Sequence, residues 1–150
     1  MAVFNQDKII SDLIPYITKI MPQEEDEVLL AISEEVPNFR HYLDPKNIPQ
    51  IFPLFQFLFG CEETVVRESA IEKMRSLVID LDDDTVQRHL IPIIQSIYKL
   101  EAFQWKVSAL YLIRMCYPKA GGLKEKLRNI YFQLCDDETP IIKRTAAKEF

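Results

Sequence analysis

An all-α chain of tandem helical repeats is what this sequence predicts, and three observations carry the prediction. Glycine is nearly absent, a proline-bearing apolar segment recurs, and an alanine returns in phase with it. Only Gly60, Gly121 and Gly122 occur in 150 residues, too few to supply the positive-φ positions of β-hairpins and phosphate loops. LIPYITKI from Leu13, IFPLFQFLF from Ile51 and LIPIIQSIY from Leu90 read alike, with Pro15, Pro53 and Pro92 lying 38 and 39 residues apart. Ala31, Ala70, Ala109 and Ala146 follow at spacings of 39, 39 and 37. An apolar-basic pair precedes the last three alanines: Val66-Arg67, Trp105-Lys106 and Ile142-Lys143; the first has Glu27-Val28 instead. Paired helices at this period suit HEAT-type repeats stacked as an α-solenoid, not the 33- or 34-residue ankyrin and tetratricopeptide periods.

Each unit holds an A helix and a B helix. The expected A helices are 6–21, 47–60, 84–99 and 121–135, and the B helices 25–36, 63–80, 103–116 and 140–150. Ile10, Leu13, Ile14, Ile17 and Met21 fall on one helical face, as do Leu90, Ile93, Ile94 and Ile97. The prolines within the A helices remove a backbone bond each and predict bends. Asp84 with Gln87 three residues on reads as a capping box, and Thr139-Pro140 as N-cap and first-turn chemistry. One repeat array spans the whole chain, with units at 6–44, 45–82, 83–119 and 120–150. The fourth unit is short, so the chain is expected to be a piece of a longer array whose last helix leaves Ile141, Ile142 and Ala146 partly exposed.

Charge excludes several functions. Eighteen basic against 23 acidic residues give a net charge of −5, which disfavours phosphate backbones and hence nucleic acid. No apolar run approaches a bilayer span, and the N-terminus lacks signal-peptide organisation, so no membrane role is expected. Cys61, Cys116 and Cys135 are odd in number and widely spaced, consistent with reduced thiols in the cytoplasm or nucleus. His41 and His89 stand 48 residues apart and read as surface residues, and Cys116 and Cys135 as core. No nucleophile, metal or phosphate-loop motif is present. Asp80, Asp82 and Asp84 match the first positions of a calcium loop, but Thr85 and Ile91 stand where glycine and glutamate are required. These acids suit the start of the third A helix. No enzyme, cofactor or metal site is expected.

What remains are the four A-to-B turns: Gln23–Glu27, Cys61–Thr64, Glu101–Trp105 and Asp136–Pro140. Stacked repeats bring such turns to one edge as an acidic ridge, a surface for a basic or mixed partner. Singly, each turn is better read as a set of helix-start acids, with Trp105 in the core; for the four in register the two readings weigh equally.

DEVLLAISEE (26–35), EETVVRESAIEKMRSL (62–77), CYPKA (116–120) and LRNIYFQLCDDETPIIKRTAAKEF (127–150) resemble the scaffolding A subunit of protein phosphatase 2A, a protein of tandem HEAT repeats. The likeness begins near Asp12 and matches the N-terminal part of that array, close to its second repeat. It implies a non-catalytic scaffold whose turns dock B-type regulatory subunits, with the catalytic subunit held by C-terminal repeats outside this chain. Turn by turn, the implied docking residues are Glu25, Asp26 and Glu27; Glu62, Glu63 and Thr64; Glu101 and Phe103, with Trp105; and Asp137, Glu138, Thr139 and Pro140 with Arg144. The family's tryptophan in the third turn is Ala102 here, with Trp105 three residues later. The linker 37–46 and the turn 80–84 depart from the family pattern. A HEAT adaptor of nuclear-transport type that binds peptide cargo is the alternative.

Overall fold

The computed structural model describes residues 5–149. Eight principal helices are present among them, four A and four B, and no strand. They are α1 (6–20), α2 (Asp26–Glu35), α3 (Phe52–Phe59), α4 (Thr64–Asp80), α5 (83–97), α6 (Phe103–Cys116), α7 (Lys124–Cys135) and α8 (Pro140–Lys148). The A and B helices of each pair are joined by short turns, which makes them antiparallel neighbours. The chain divides into two compact units, 1–74 and 75–150, the division falling inside α4.

Each unit is organised on one helix that is apolar nearly all round. In the first it is α3, where Phe52, Leu54, Phe55, Leu58 and Phe59 are all buried, as expected of a helix with no solvent face. It packs on α1 and α2, and the Phe55 and Phe59 rings meet at 6.2 Å. In the second unit α6 plays this part, packed by α5, α7 and α8, with Val107, Ala109, Leu110, Leu112, Ile113 and Cys116 buried.

The prolines act in two ways. In α1 and α5 the turn before the proline widens to a π-turn, over Ile9–Leu13 and Val86–Leu90. There the amides of Ile14 and Ile91 donate to the carbonyls of Ile9 and Val86, five residues back. Pro15 and Pro92 have no amide to donate, and their rings crowd the carbonyl four back, so the helix accommodates them by opening one turn. The core face shifts accordingly. Ile9 is buried (1% exposed) where Ile10 had been expected, because a burial step of five crosses the widened turn.

Pro53, by contrast, is not mid-helical. Pro49 and Pro53 cannot close α-helical bonds to the carbonyls of Pro45 and Pro49, so Pro45–Ile51 forms a 3₁₀ segment and α3 starts only at Phe52. At the start of this segment the Gln6 amide clamps Asp44, accepting from its backbone N–H at 2.5 Å and donating to Oδ2 at 3.0 Å. The fourth A helix likewise starts late, at Lys124 rather than 121. Gly121 has φ +53°, and a Cβ there would lie 2.7 Å from Gln87 Nε2. That left-handed residue ends one path before the next helix begins.

The alanine register holds in three repeats and fails in the first. Ala70, Ala109 and Ala146 are 0–2% exposed, whereas Ala31 faces solvent. Its place is taken by buried Ser33, four residues after buried Leu29, as Ala70 follows Val66 and Ala146 follows Ile142. The Ser33 hydroxyl donates to Leu30 O at 2.6 Å and lies 2.7 Å from the Ser69 hydroxyl, which satisfies the polar group in a slot that admits only a small side chain. The cap of α5 is also shifted: Asp82, not Asp84, is the N-cap, its Oδ1 accepting from Thr85 N at 2.7 Å. Thr139 and Pro140 occupy N-cap and N1 of α8 as expected. Of the three residues expected to be exposed on α8, Ile141 is, but Ile142 and Ala146 are buried within their own unit.

Candidate functional site

The first unit carries the first two turns. Glu25 is the N-cap of α2, and Asp26 and Glu27 occupy its first turn, where the helix dipole favours acids; all three are exposed. Burial, and then the charge of Asp26, pushes the Cys61 thiol up to about 11 against the opposing pull of Arg67. Arg67 is 6% exposed and grips its own turn from inside, donating to Cys61 O at 2.7 Å, Glu62 O at 2.8 Å and Thr64 Oγ1 at 3.4 Å. The turn is held by its backbone, and Glu62, Glu63 and Thr64 are exposed outside it.

In the second unit Glu101 and Phe103 are exposed, Gln104 is buried and Trp105 is half-buried. Asp137 is the exception among the acids. Its side chain is 15% exposed, its Oδ2 meets Lys106 Nζ at 2.8 Å and its Oδ1 accepts from Thr139 N at 2.8 Å. The Lys106 bond, then those from Thr139, hold its pKa down at about 2. Asp137 thus ties its turn to the start of α6, while Glu138, Pro140 and Arg144 face solvent and Thr139 is half-buried.

Three exposed apolar residues stand beside these turns; Ile141 was expected to be exposed, but Val28 and Val65 were not. Val28, Val65 and Ile141 are 39%, 54% and 43% exposed. Each immediately precedes a buried B-helix residue, Leu29, Val66 or Ile142, and that shared register was the signal available. His41 and His89 are exposed, Cys116 is buried and Cys135 half-buried. All three cysteines are free thiols. No described helix is long and apolar enough to cross a membrane.

Helices packed in A–B pairs, with a small buried residue recurring along the B helices, define a HEAT-repeat protein. No family model matches the chain. It is 34% identical over 139 residues to the protein phosphatase 2A scaffold subunit of Dictyostelium discoideum, covering 91% of this chain and 24% of that protein. It is 33% identical over 146 residues to the serine/threonine-protein phosphatase PP2A 65 kDa regulatory subunit of Drosophila melanogaster, covering 96% and 24%. Over nine tenths of its length the chain is therefore a relative of the protein phosphatase 2A scaffold subunits, and it spans about a quarter of theirs.

Proposed function

We propose that this chain is a non-catalytic scaffold module of protein phosphatase 2A, corresponding to N-terminal repeats of one HEAT array, that docks B-type regulatory subunits through its A-to-B turns. The catalytic subunit is assigned to C-terminal repeats outside the chain, and the site of action to the cytoplasm and nucleus. One observation carries the reading. All four turns present exposed acids beside exposed apolar residues: Glu25, Asp26, Glu27 with Val28; Glu62, Glu63 with Val65; Glu101 with Phe103; Glu138 with Ile141. The second is tied from within by Arg67 and the fourth by Asp137. A pre-organised turn loses little entropy on docking, its acids steer a basic partner, and the adjacent apolar side chains supply contact area.

The test is a titration in which a purified regulatory subunit is mixed with the wild-type chain or with charge-reversed variants. Glu62→Lys with Glu63→Lys, and Glu138→Lys, weaken binding and reduce its salt dependence. Asp83→Lys, on the exposed start of α5, leaves it unchanged. Identical titrations for all variants would show the acids to be solvated helix starts, and tight binding of isolated catalytic subunit would overturn the assignment to the N-terminal repeats.

A further inference from the structure

Within the second unit a groove of about 380 Å³ runs between two B helices, away from the turns. Arg75, Val78 and Ile79 form one wall at i, i+3 and i+4 of α4; Tyr111, Arg114 and Met115 form the other with the same spacing on α6; Pro118 and Lys119 close one end. That spacing sets each trio on a single helix face. Ile79 is 72% exposed, the most exposed of the large apolar residues among those described, and it stands beside half-buried Tyr111 and Met115.

Among the described lining residues are two arginines and a lysine and no acid, although the chain carries a net charge of −5. Lys119 reinforces this sign. Its ammonium donates to Val78 O at 2.7 Å and Ile79 O at 3.0 Å, and also to Leu81 O, which cancels the partial negative charge that the end of α4 would otherwise present. Arg114 already receives an acidic residue of this chain. Glu149 offers its backbone carbonyl to Arg114 at 2.7 Å and its carboxylate to Arg114 Nε at 3.7 Å, while the Arg114 side chain stays 58% exposed.

We propose that this groove receives an extended acidic segment of a partner protein, its apolar side chains lying against Ile79, Tyr111 and Met115 and its carboxylates on the arginine-bearing rims. Charge complementarity favours that occupant. A second copy of the chain brings the same net negative charge, and a bilayer surface requires protruding apolar groups rather than a recess. The proposal is independent of the turns, since none of its residues lies in them.

Fluorescence anisotropy of the full chain tests it, with a short labelled peptide alternating leucine and aspartate as the probe. Binding is expected to weaken about tenfold when lysine replaces the aspartates, when serine replaces the leucines, or when the chain carries Ile79→Asp or Arg114→Glu. Arg114→Lys is expected to lose less, because charge is kept and the planar fork is not. Glu138→Lys leaves this binding intact whatever becomes of regulatory-subunit docking. Circular dichroism of each variant verifies that the helices persist, and Tyr111→Ser serves as a second groove variant should Ile79→Asp unfold. Absence of binding, equal binding of the lysine peptide, or indifference to the groove variants would overturn the proposal. So would competition by anionic vesicles alone, or self-association abolished by Ile79→Asp.

Discussion

Arg67 and Lys106 occupy one register position, three residues before Ala70 and Ala109, yet they tie the fold in opposite directions. Arg67 folds back onto the carbonyls of its own turn; Lys106 reaches forward to the carboxylate of the next. The guanidinium offers several donors in a fixed fork and can serve two carbonyls while buried. The ammonium is a point charge that seeks a counter-charge. The slot is thus a place for a basic tie, and the residue in it decides whether a turn is braced alone or linked to its neighbour. Lys143 fills the slot in the fourth repeat and is exposed, and Leu30 stands there in the first.

Removing the buried tie has the largest expected effect. Arg67→Ala strips donors from two carbonyls at once and is expected to cost about 2–3 kcal/mol in urea unfolding. Arg67→Lys should recover less than half of that; full recovery would mean that charge alone matters and would collapse the contrast with Lys106. Next comes the small-residue slot of the first repeat. Ser33→Leu should overpack it and cost about 1–3 kcal/mol, whereas Ala31→Leu, on the exposed side of the same helix, should stay within about 0.5 kcal/mol. The reverse order would restore the register expected from alanine spacing.

Lys106→Met should cost about 1 kcal/mol, the shielded pair being partly screened by solvent. Its signature is in pH. Asp137 is held down from 3.8 to about 2, so its contribution is fully present above pH 4 and fades as the pH falls toward 2. Stability of the wild type should therefore drop more steeply in that window than stability of Lys106→Met, while Arg67→Ala should retain the wild-type slope. The smallest effect concerns the thiols. Burial pushes Cys116 up to about 12 and, with Asp26, Cys61 to about 11. Iodoacetamide near neutral pH should leave both unmodified in the folded chain. Rapid alkylation of Cys61 would mean that the second turn opens in spite of Arg67.

What could be read in the sequence was periodic, and what could not was local. Period, helix order and three of four alanines follow from repeats that must bury matching positions. Ala31 misled because spacing alone does not distinguish it from Ser33, a small polar residue made acceptable by hydroxyl partners that only the fold brings near. Proline was recognised but not its geometry: with one proline every four residues, 45–51 becomes 3₁₀, while a single proline after a full turn yields a π-turn. Among the candidate docking residues, Asp137 looked like its acidic neighbours but is paired, because its lysine comes from 31 residues away. Val28 and Val65 were overlooked because an exposed valine is indistinguishable in sequence from a core one.

The two π-turns also affect how these helices can be aligned. Each holds one residue more than an α-helix would use to cover the same rise, so α1 and α5 can be superposed on the proline-free helix α7 only across a one-residue gap. Laid down without that gap, Ile14, Ile17 and Met21 match Leu127, Ile130 and Leu134, but Ile9 and the residues before it are rotated about 100° off the core. Comparing repeats by spacing then assigns Ile10 to the interior in place of Ile9. A relative lacking the proline should lack this residue too, and an apparent deletion there would be a helix returning to its regular pitch.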